Sequence, residues 1–373
     1  MPRPHRLALS VLTALLFAAC GAPATPAPKP ALAAVPAAAT PAPPTVAPTA
    51  TATVRPTLTS TPTQTQTPSP TATPDPYAGL TIEDLRASLG KRAAAYRGDE
   101  LRVEEDLGEN EAFRRLLISY PSGDLTIHGF VNVPHGDGPF PVAIVLHGYI
   151  DPAVYHTLAY TTRYADALAR AGYLAIHPNL RGYPPSDEGP NRFRVGMAED
   201  VLNLLALVRA AAGGEGALGR ANPAAIGLMG HSMGGGITLR VITVDPGVGA
   251  AVLYGSMSAD ERTNYEQTLV WSGGARGRAE LDTPDADLAR ISPATYLGEV
   301  TAPISIHHSD ADATVPIAWS EALHARLLEL GVESEYYVYH NTPHTFRGEA
   351  DALFMERMIA FFDRHLRAAP PPG

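Results

Sequence analysis

From Val142 to Leu366, short apolar runs alternate with longer segments of helical periodicity. This alternation narrows what the chain can fold into more than any other feature. Val142–Leu146, Tyr173–His177, Ala225–Met229, Ala250–Tyr254, Pro303–His307 and Glu333–Tyr339 read as strands. Leu158–Ala171, Gly196–Ala211, Met233–Thr243, Ile317–Leu330 and Ala352–Leu366 read as the helices between and after them. Strands that are apolar on both faces must be covered on both, so the pattern predicts an α/β fold with a mainly parallel sheet and helices on each side. Ahead of it, Arg114–Tyr120 and Leu125–Val133 read as a hairpin around Pro121-Ser122-Gly123-Asp124, and Thr81–Tyr96 as an outer helix. Ligands of such sheets bind beyond the carboxyl ends of the strands, so functional side chains are expected just after a strand.

The residues before this domain have a different character. Arg3 and Arg6 precede an apolar run from Leu7 to Ala19, too short to span a bilayer as a helix. The run ends in Phe17-Ala18-Ala19-Cys20, which resembles the lipobox of bacterial lipoproteins. That resemblance implies a signal peptide over residues 1–20, with Cys20 lipidated as the mature N-terminus. The protein would then be extracytoplasmic and held at a membrane surface by lipid. Cys20 is also the only cysteine, which excludes an intramolecular disulfide, a thiolate metal site and a cysteine nucleophile in the folded domain. Residues 21–76 are nearly all Ala, Pro and Thr and have nothing to bury, so a disordered, extended stalk is expected there.

Residues 77–373 are long enough for one α/β domain with a full core. The first 76 residues carry four basic and one acidic side chain, so the chain's net charge of −10 becomes −13 for the domain. Such a balance argues against nucleic acid as a partner and against an electrostatic hold on anionic lipid.

Gly230-His231-Ser232-Met233-Gly234 matches G-x-S-x-G. The strand-like Ile226–Met229 precedes it and a proline-free helical pattern follows, which is the strand–turn–helix setting of a nucleophile elbow. A serine hydroxyl is a poor nucleophile unless a base takes its proton, and the base needs a group to orient it. Two segments just after later strands offer these partners: His308-Ser309-Asp310-Ala311-Asp312 and His340-Asn341-Thr342-Pro343-His344. On the residues alone the acid is Asp310 or Asp312. The histidines and aspartates gathered here lack a paired helical ligand spacing, so no metal is expected.

The run from Ser292-Pro293 through Val315-Pro316, together with Pro343-His344-Thr345-Phe346, resembles the catalytic domain of the prolyl oligopeptidase-type family and related α/β-hydrolases. The resemblance covers about residues 114–366. It implies an α/β-hydrolase fold and a Ser232–His344–Asp312 triad, with Asp312 chosen by its spacing to Val315-Pro316. Ser309 stands where the family usually has Gly. His147-Gly148-Tyr149 resembles the family's oxyanion turn, which would make the N–H groups of Tyr149 and Met233 the oxyanion donors. Asn179-Leu180-Arg181-Gly182 resembles a structural loop of the family, with Arg181 expected to be buried against a carboxylate or carbonyls. Glu199-Asp200 reads as acidic residues favoured near a helix start.

The implied activity is serine hydrolysis of an ester or amide without metal or organic cofactor. Peptidases of the family carry a large propeller domain for which residues 77–135 are too few, and commonly have Tyr where this chain has His147. A carboxylesterase-like enzyme with a small helical cap over about residues 256–300 is therefore expected, acting on a small ester. A serine-type peptidase acting on short peptides is the alternative, and a non-catalytic surface binding lipoprotein is the third.

Overall fold

The computed structural model describes residues 75–367. Residues 1–20 with Cys20, and 21–74 of the expected stalk, lie outside the described residues. Among the described residues, nine strands form one sheet in the order β1-β2-β3-β5-β4-β6-β7-β8-β9. Strands β1 (Arg102–Glu109), β2 (Phe113–Ser122) and β3 (Leu125–Pro134) run antiparallel, and β3 joins β5 in the same sense. From β5 (Leu174–Pro178) through β4 (Phe140–Leu146), β6 (Ala221–His231), β7 (Ala250–Tyr254), β8 (Ile304–Ser309) and β9 (Ser334–Tyr339) every pairing is parallel.

Helices cover both faces because successive strand side chains point to opposite sides and both sides are apolar. In β4, Val142, Ile144 and Leu146 join the core that includes α3 (Val195–Ala211) and α4 (Met233–Val244). Ala143 and Val145 join the core built with α2 (Thr162–Arg170) and α9 (Gly348–Phe362). The outer helix α1 (Ile82–Ala95) is capped by Thr81, whose hydroxyl accepts from Asp84 N–H, and buries Ile82 and Leu85. Helix α8 (Ile317–Glu329) fills the crossover from β8 to β9.

Between β7 and β8 lie three short helices, α5 (Glu261–Trp271), α6 (Arg278–Leu281) and α7 (Asp285–Ile291), in the region read as a cap. Buried Glu261 at the start of α5 accepts from Arg240 of α4 at 2.5 Å and also pairs with Arg194. Arg240 donates in addition to Ile291 O at 2.6 Å, so α5 and α7 are both tied to α4. Removing one member of so buried a network would strand a charge, a loss of about 3–5 kcal/mol.

Candidate active site

Strand β6 ends at His231, and Ser232 turns the chain into α4 at φ 54°, ψ −115°. A non-glycine residue at such angles carries strain of about 1–3 kcal/mol and persists only when its surroundings impose it. Here Ser232 N–H donates to Tyr254 O at 2.9 Å, and Ser232 O accepts from Gly235 N–H at 3.0 Å and Met257 N–H at 3.1 Å. The flanking glycines are a steric requirement. A Cβ on Gly230 would lie 2.2 Å from Gly234 O, and one on Gly234 would lie 2.4 Å from Leu146 O.

Asp312 follows β8 in the loop that leads to α8. Its side chain is 1% exposed. Oδ1 accepts from Thr314 N–H at 2.8 Å and Val315 N–H at 2.9 Å. Oδ2 lies 2.6 Å from His344 Nδ1 and 3.1 Å from His308 Nε2. Burial alone would raise this carboxyl, but the hydrogen bonds from His308 and His344 outweigh it and hold Asp312 well below the usual carboxylate range. With Nδ1 taken by Asp312, Nε2 is the ring nitrogen of His344 left for a second partner. The His344 ring packs against His231, the neighbour of Ser232, with centroids 4.6 Å apart. Among the described residues no hydrogen bond yet joins His344 Nε2 to Ser232 Oγ, a contact that often tightens only with substrate bound.

Asp310 has a different role. Its carboxylate accepts from His340 Nδ1 at 2.7 Å and Asn341 N–H at 2.8 Å, both at the surface, and so ties the acid loop to the turn after β9. Ser309 does the same from the buried side, donating from Oγ to Thr342 O. The geometry therefore brings Asp312, not Asp310, to His344.

The turn after β4 carries the other expected pieces. His147 is buried, with Nε2 2.7 Å from Asn179 O, so the Asn179 loop supports the oxyanion-like turn. Gly148 N–H donates to Tyr160 OH at 2.8 Å. Tyr160 OH lies 2.6 Å from His231 Nδ1, and His231 Nε2 lies 3.2 Å from His344 O. Because a phenol has one proton and a neutral imidazole one N–H, this chain runs in one direction, from Gly148 to the backbone of His344. Burial first, and then His344 beside it, push the His231 imidazole well below its ordinary value, which keeps the ring neutral. Among the described residues, the N–H groups of Tyr149 and Met233 donate to no protein acceptor. Both are left available to a developing oxyanion.

Several readings of the sequence find their physical basis here. Arg181 is buried on Asp200 of α3, with Nη2 2.8 Å from Oδ1, and also donates to Pro190 O at 2.8 Å. Asp200 is thus the buried partner of Arg181, which corrects its reading as a residue favoured merely by a helix start. Tyr183 is buried, with its hydroxyl 4.0 Å from Met233 Sδ. His308, His231 and Tyr160 were not foreseen in the site. Only His308, an extra histidine at the end of β8, gave a signal in the chain. The Tyr160–His231 link needs the fold, because the two lie 71 positions apart in the chain. Among the described residues no group of three or more His, Cys, Asp or Glu side chains is placed to hold a metal ion.

The family described as the prolyl oligopeptidase family matches residues 159–369. Among solved structures, Pyrococcus horikoshii acylaminoacyl peptidase is similar at 21% identity and a TM-score of 0.58, over 70% of this chain and 43% of its own. An acetyl xylan esterase from Paenibacillus sp. R4 is similar at 17% identity and a TM-score of 0.57, over 80% of this chain and 97% of its own. A puromycin-hydrolyzing peptidase of Mycobacterium tuberculosis is similar at 21% identity and a TM-score of 0.54, over 73% and 40%. At these identities the likeness is one of fold, and the chain spans less than half the length of the two peptidases.

Proposed function

Because the chain belongs to the prolyl oligopeptidase family and is a serine hydrolase with the α/β-hydrolase fold, we propose that it is a carboxylesterase-like enzyme acting through an acyl-enzyme. Ser232 Oγ attacks the ester carbonyl while His344 Nε2 takes its proton. Asp312 keeps the ring in the tautomer this requires and stabilises the imidazolium that forms. Charge on the carbonyl oxygen is met by the N–H groups of Tyr149 and Met233, donors of a kind worth about 2.7–4 kcal/mol each. The alcohol leaves with the proton held by His344. Water then enters by the same route in reverse and frees the acid.

One observation carries the ester over the peptide reading. Tyr149, in the turn after β4, and Trp271, whose Nε1–H donates to Thr314 O beside the acid loop, are exposed at 53% and 41%. These exposed aromatic side chains beside the turn after β4 and the acid loop offer a surface suited to a small acyl group, which supports the ester reading. The same proposal places the enzyme outside the cytoplasm on a lipid at Cys20, supported by Phe17-Ala18-Ala19-Cys20 and the Pro/Thr/Ala-rich residues 21–76.

The test compares p-nitrophenyl esters of increasing acyl length with aminoacyl-anilides, alongside labelling by a fluorophosphonate. Esters are expected to be turned over faster than anilides, with one label per chain that disappears in Ser232→Ala. Faster anilide hydrolysis would move the reading to a short-peptide hydrolase. Absence of labelling would make it a binding lipoprotein, and labelling that survives Ser232→Ala would overturn the site.

A further inference from the structure

The cap presents a cation to the mouth of the site that the chemistry above does not use. Arg276 lies between α5 and α6, in a loop where Gly273, Gly274 and Gly277 all take positive φ. Its backbone is fixed: Arg276 N–H donates to Ser272 Oγ at 3.0 Å, and Ser272 Oγ lies 3.3 Å from Arg276 O. Its guanidinium sits 5.1 Å above the ring of Tyr149, whose own backbone N–H is one of the two free oxyanion donors. Among the described residues, the one polar contact of the side chain is a long 3.5 Å approach to Tyr149 OH.

The charge of Arg276 is uncommitted. The cap arginines Arg262 and Arg290 pair with Asp285 and Asp287, whereas Arg276, like Arg278, meets no carboxylate among the described residues. Asp151, close to Tyr149 in sequence, is turned onto its own loop, where Oδ1 accepts from Ala153 N–H at 3.0 Å. Burial dominates at the Tyr183 phenol and pushes it up, with Arg276 only a minor opposing influence, and the Tyr183 hydroxyl lies 4.0 Å from Met233 Sδ. A guanidinium with five donors, pre-placed on an aromatic ring, is the geometry that recognises a carboxylate in a two-point fork. Trp271 closes the adjacent wall, its Nε1–H donating to Thr314 O at 3.1 Å, just beyond Asp312.

We propose that Arg276 on Tyr149 is an anion subsite, and that the preferred substrates are esters or amides carrying a free carboxylate. That carboxylate would be separated from the scissile carbonyl by about one tyrosine side chain's reach. The inference rests on the hydrolase reading of Ser232 and refines its substrate class. Two sources present this chemistry: the half-ester of a short dicarboxylic acid, and the free carboxyl end of a short peptide.

The experiment compares p-nitrophenyl half-esters of succinate and glutarate with the neutral butyrate and valerate esters. In parallel it compares short peptides ending in a free carboxylate with the same peptides amidated. Each set is measured on the full-length wild type, Arg276→Ala and Arg276→Lys. Wild type is expected to prefer one anionic member by about tenfold in kcat/KM, the size of a charge-assisted hydrogen bond. Arg276→Ala should erase that preference, leave the neutral substrates within about twofold, and be partly rescued in Arg276→Lys. Preference for half-esters names the first source, and preference for free-ended peptides names the second. Equal rates on anionic and neutral substrates in wild type would overturn the proposal. So would an Arg276→Ala loss shared by both, which marks a structural role. Turnover of the neutral esters and labelling at Ser232 report separately on the hydrolase reading. If these fail, calorimetric binding of glutarate monoesters to Ser232→Ala, with and without Arg276→Ala, decides the anion subsite alone.

Discussion

Two aspartates separated by a single alanine differ in everything but their chemistry. Asp312 is buried, and its two oxygens are shared among Thr314 N–H, Val315 N–H, His308 and His344. Asp310 is at the surface and spends its oxygens on His340 and Asn341. Asp312→Asn is expected to lower kcat by about 10³–10⁴, because an amide keeps the shape but lets the imidazole settle in the wrong tautomer. Asp310→Asn should cost less than about tenfold, through a looser loop at constant mechanism. The check is steady-state kinetics on both variants with melting temperatures matched to wild type, and the reverse ranking would transfer the acid to Asp310. That the acid was legible at all came from its spacing to Val315-Pro316, a local signal. The support from His308 depends on how β8 ends and α8 begins, a matter of tertiary placement that no spacing carries.

At the scale of elements, the parallel strands and their helices were readable because both faces of the sheet are apolar and the runs stand out from their surroundings. The strand read over Ala250–Tyr254 coincides with β7, and the helix read from Ile317 coincides with α8 to within a residue. Strand β1 was not foreseen, and the reason is physical. All eight of its residues are exposed and most are charged, so it is an edge strand held by backbone pairing to β2 with no apolar face to betray it. Helix α2 begins at Thr162 where periodicity suggested Leu158, because Tyr160 is drawn out of helical register to meet Gly148 and His231. The elbow between β6 and α4 is where element packing is tightest. Gly234→Ala would drive a methyl into Leu146 O at 2.4 Å, a clash with backbone that no rotamer relieves. A loss of at least about 1–3 kcal/mol in stability is expected, together with a fall in kcat as the elbow is pushed away from the end of β4 and the oxyanion turn. Thermal melts and fluorophosphonate labelling rates measure the two effects, and a variant with unchanged melting and labelling would show the elbow to be looser than its geometry.

For the whole molecule, two properties follow from how the chain is divided and what it buries. Tyr77 and Leu80 already pack against the core, so a chain beginning near Asp75 is expected to fold and retain full specific activity. Cys20→Ser in the full chain should release the enzyme from membranes, or leave its signal uncleaved, at unchanged activity. Membrane fractionation reads this out, and retention of the variant on membranes would remove the lipid anchor. The second property is acid sensitivity. His177 and His307 are fully buried, and burial pushes each imidazole down to about 3. Each ring is neutral in its bonds: His177 Nε2 lies 2.7 Å from Thr161 Oγ1, and His307 lies between Ser305 Oγ and Tyr339 OH at 2.8 and 2.9 Å. When the chain unfolds these imidazoles take up protons near pH 6.5, so below that value the unfolded state binds more protons and stability falls with pH. The loss runs from about pH 6.5 down toward the folded values. Between neutrality and pH 5 it amounts to about 2 kcal/mol for each ring, a large share of the 5–15 kcal/mol that holds a typical domain. The depressed Asp312 adds nothing in this window, since its contribution is lost only below about pH 4, where an unfolded aspartate protonates. Melting temperature should therefore drop steadily from pH 7 to pH 5, before any carboxylate is involved. In His307→Gln the slope should shrink by about one proton, because an amide keeps a donor and an acceptor but cannot titrate. A melting temperature that stays flat from pH 7 to 5 in wild type would mean that these rings do not remain neutral in the folded protein.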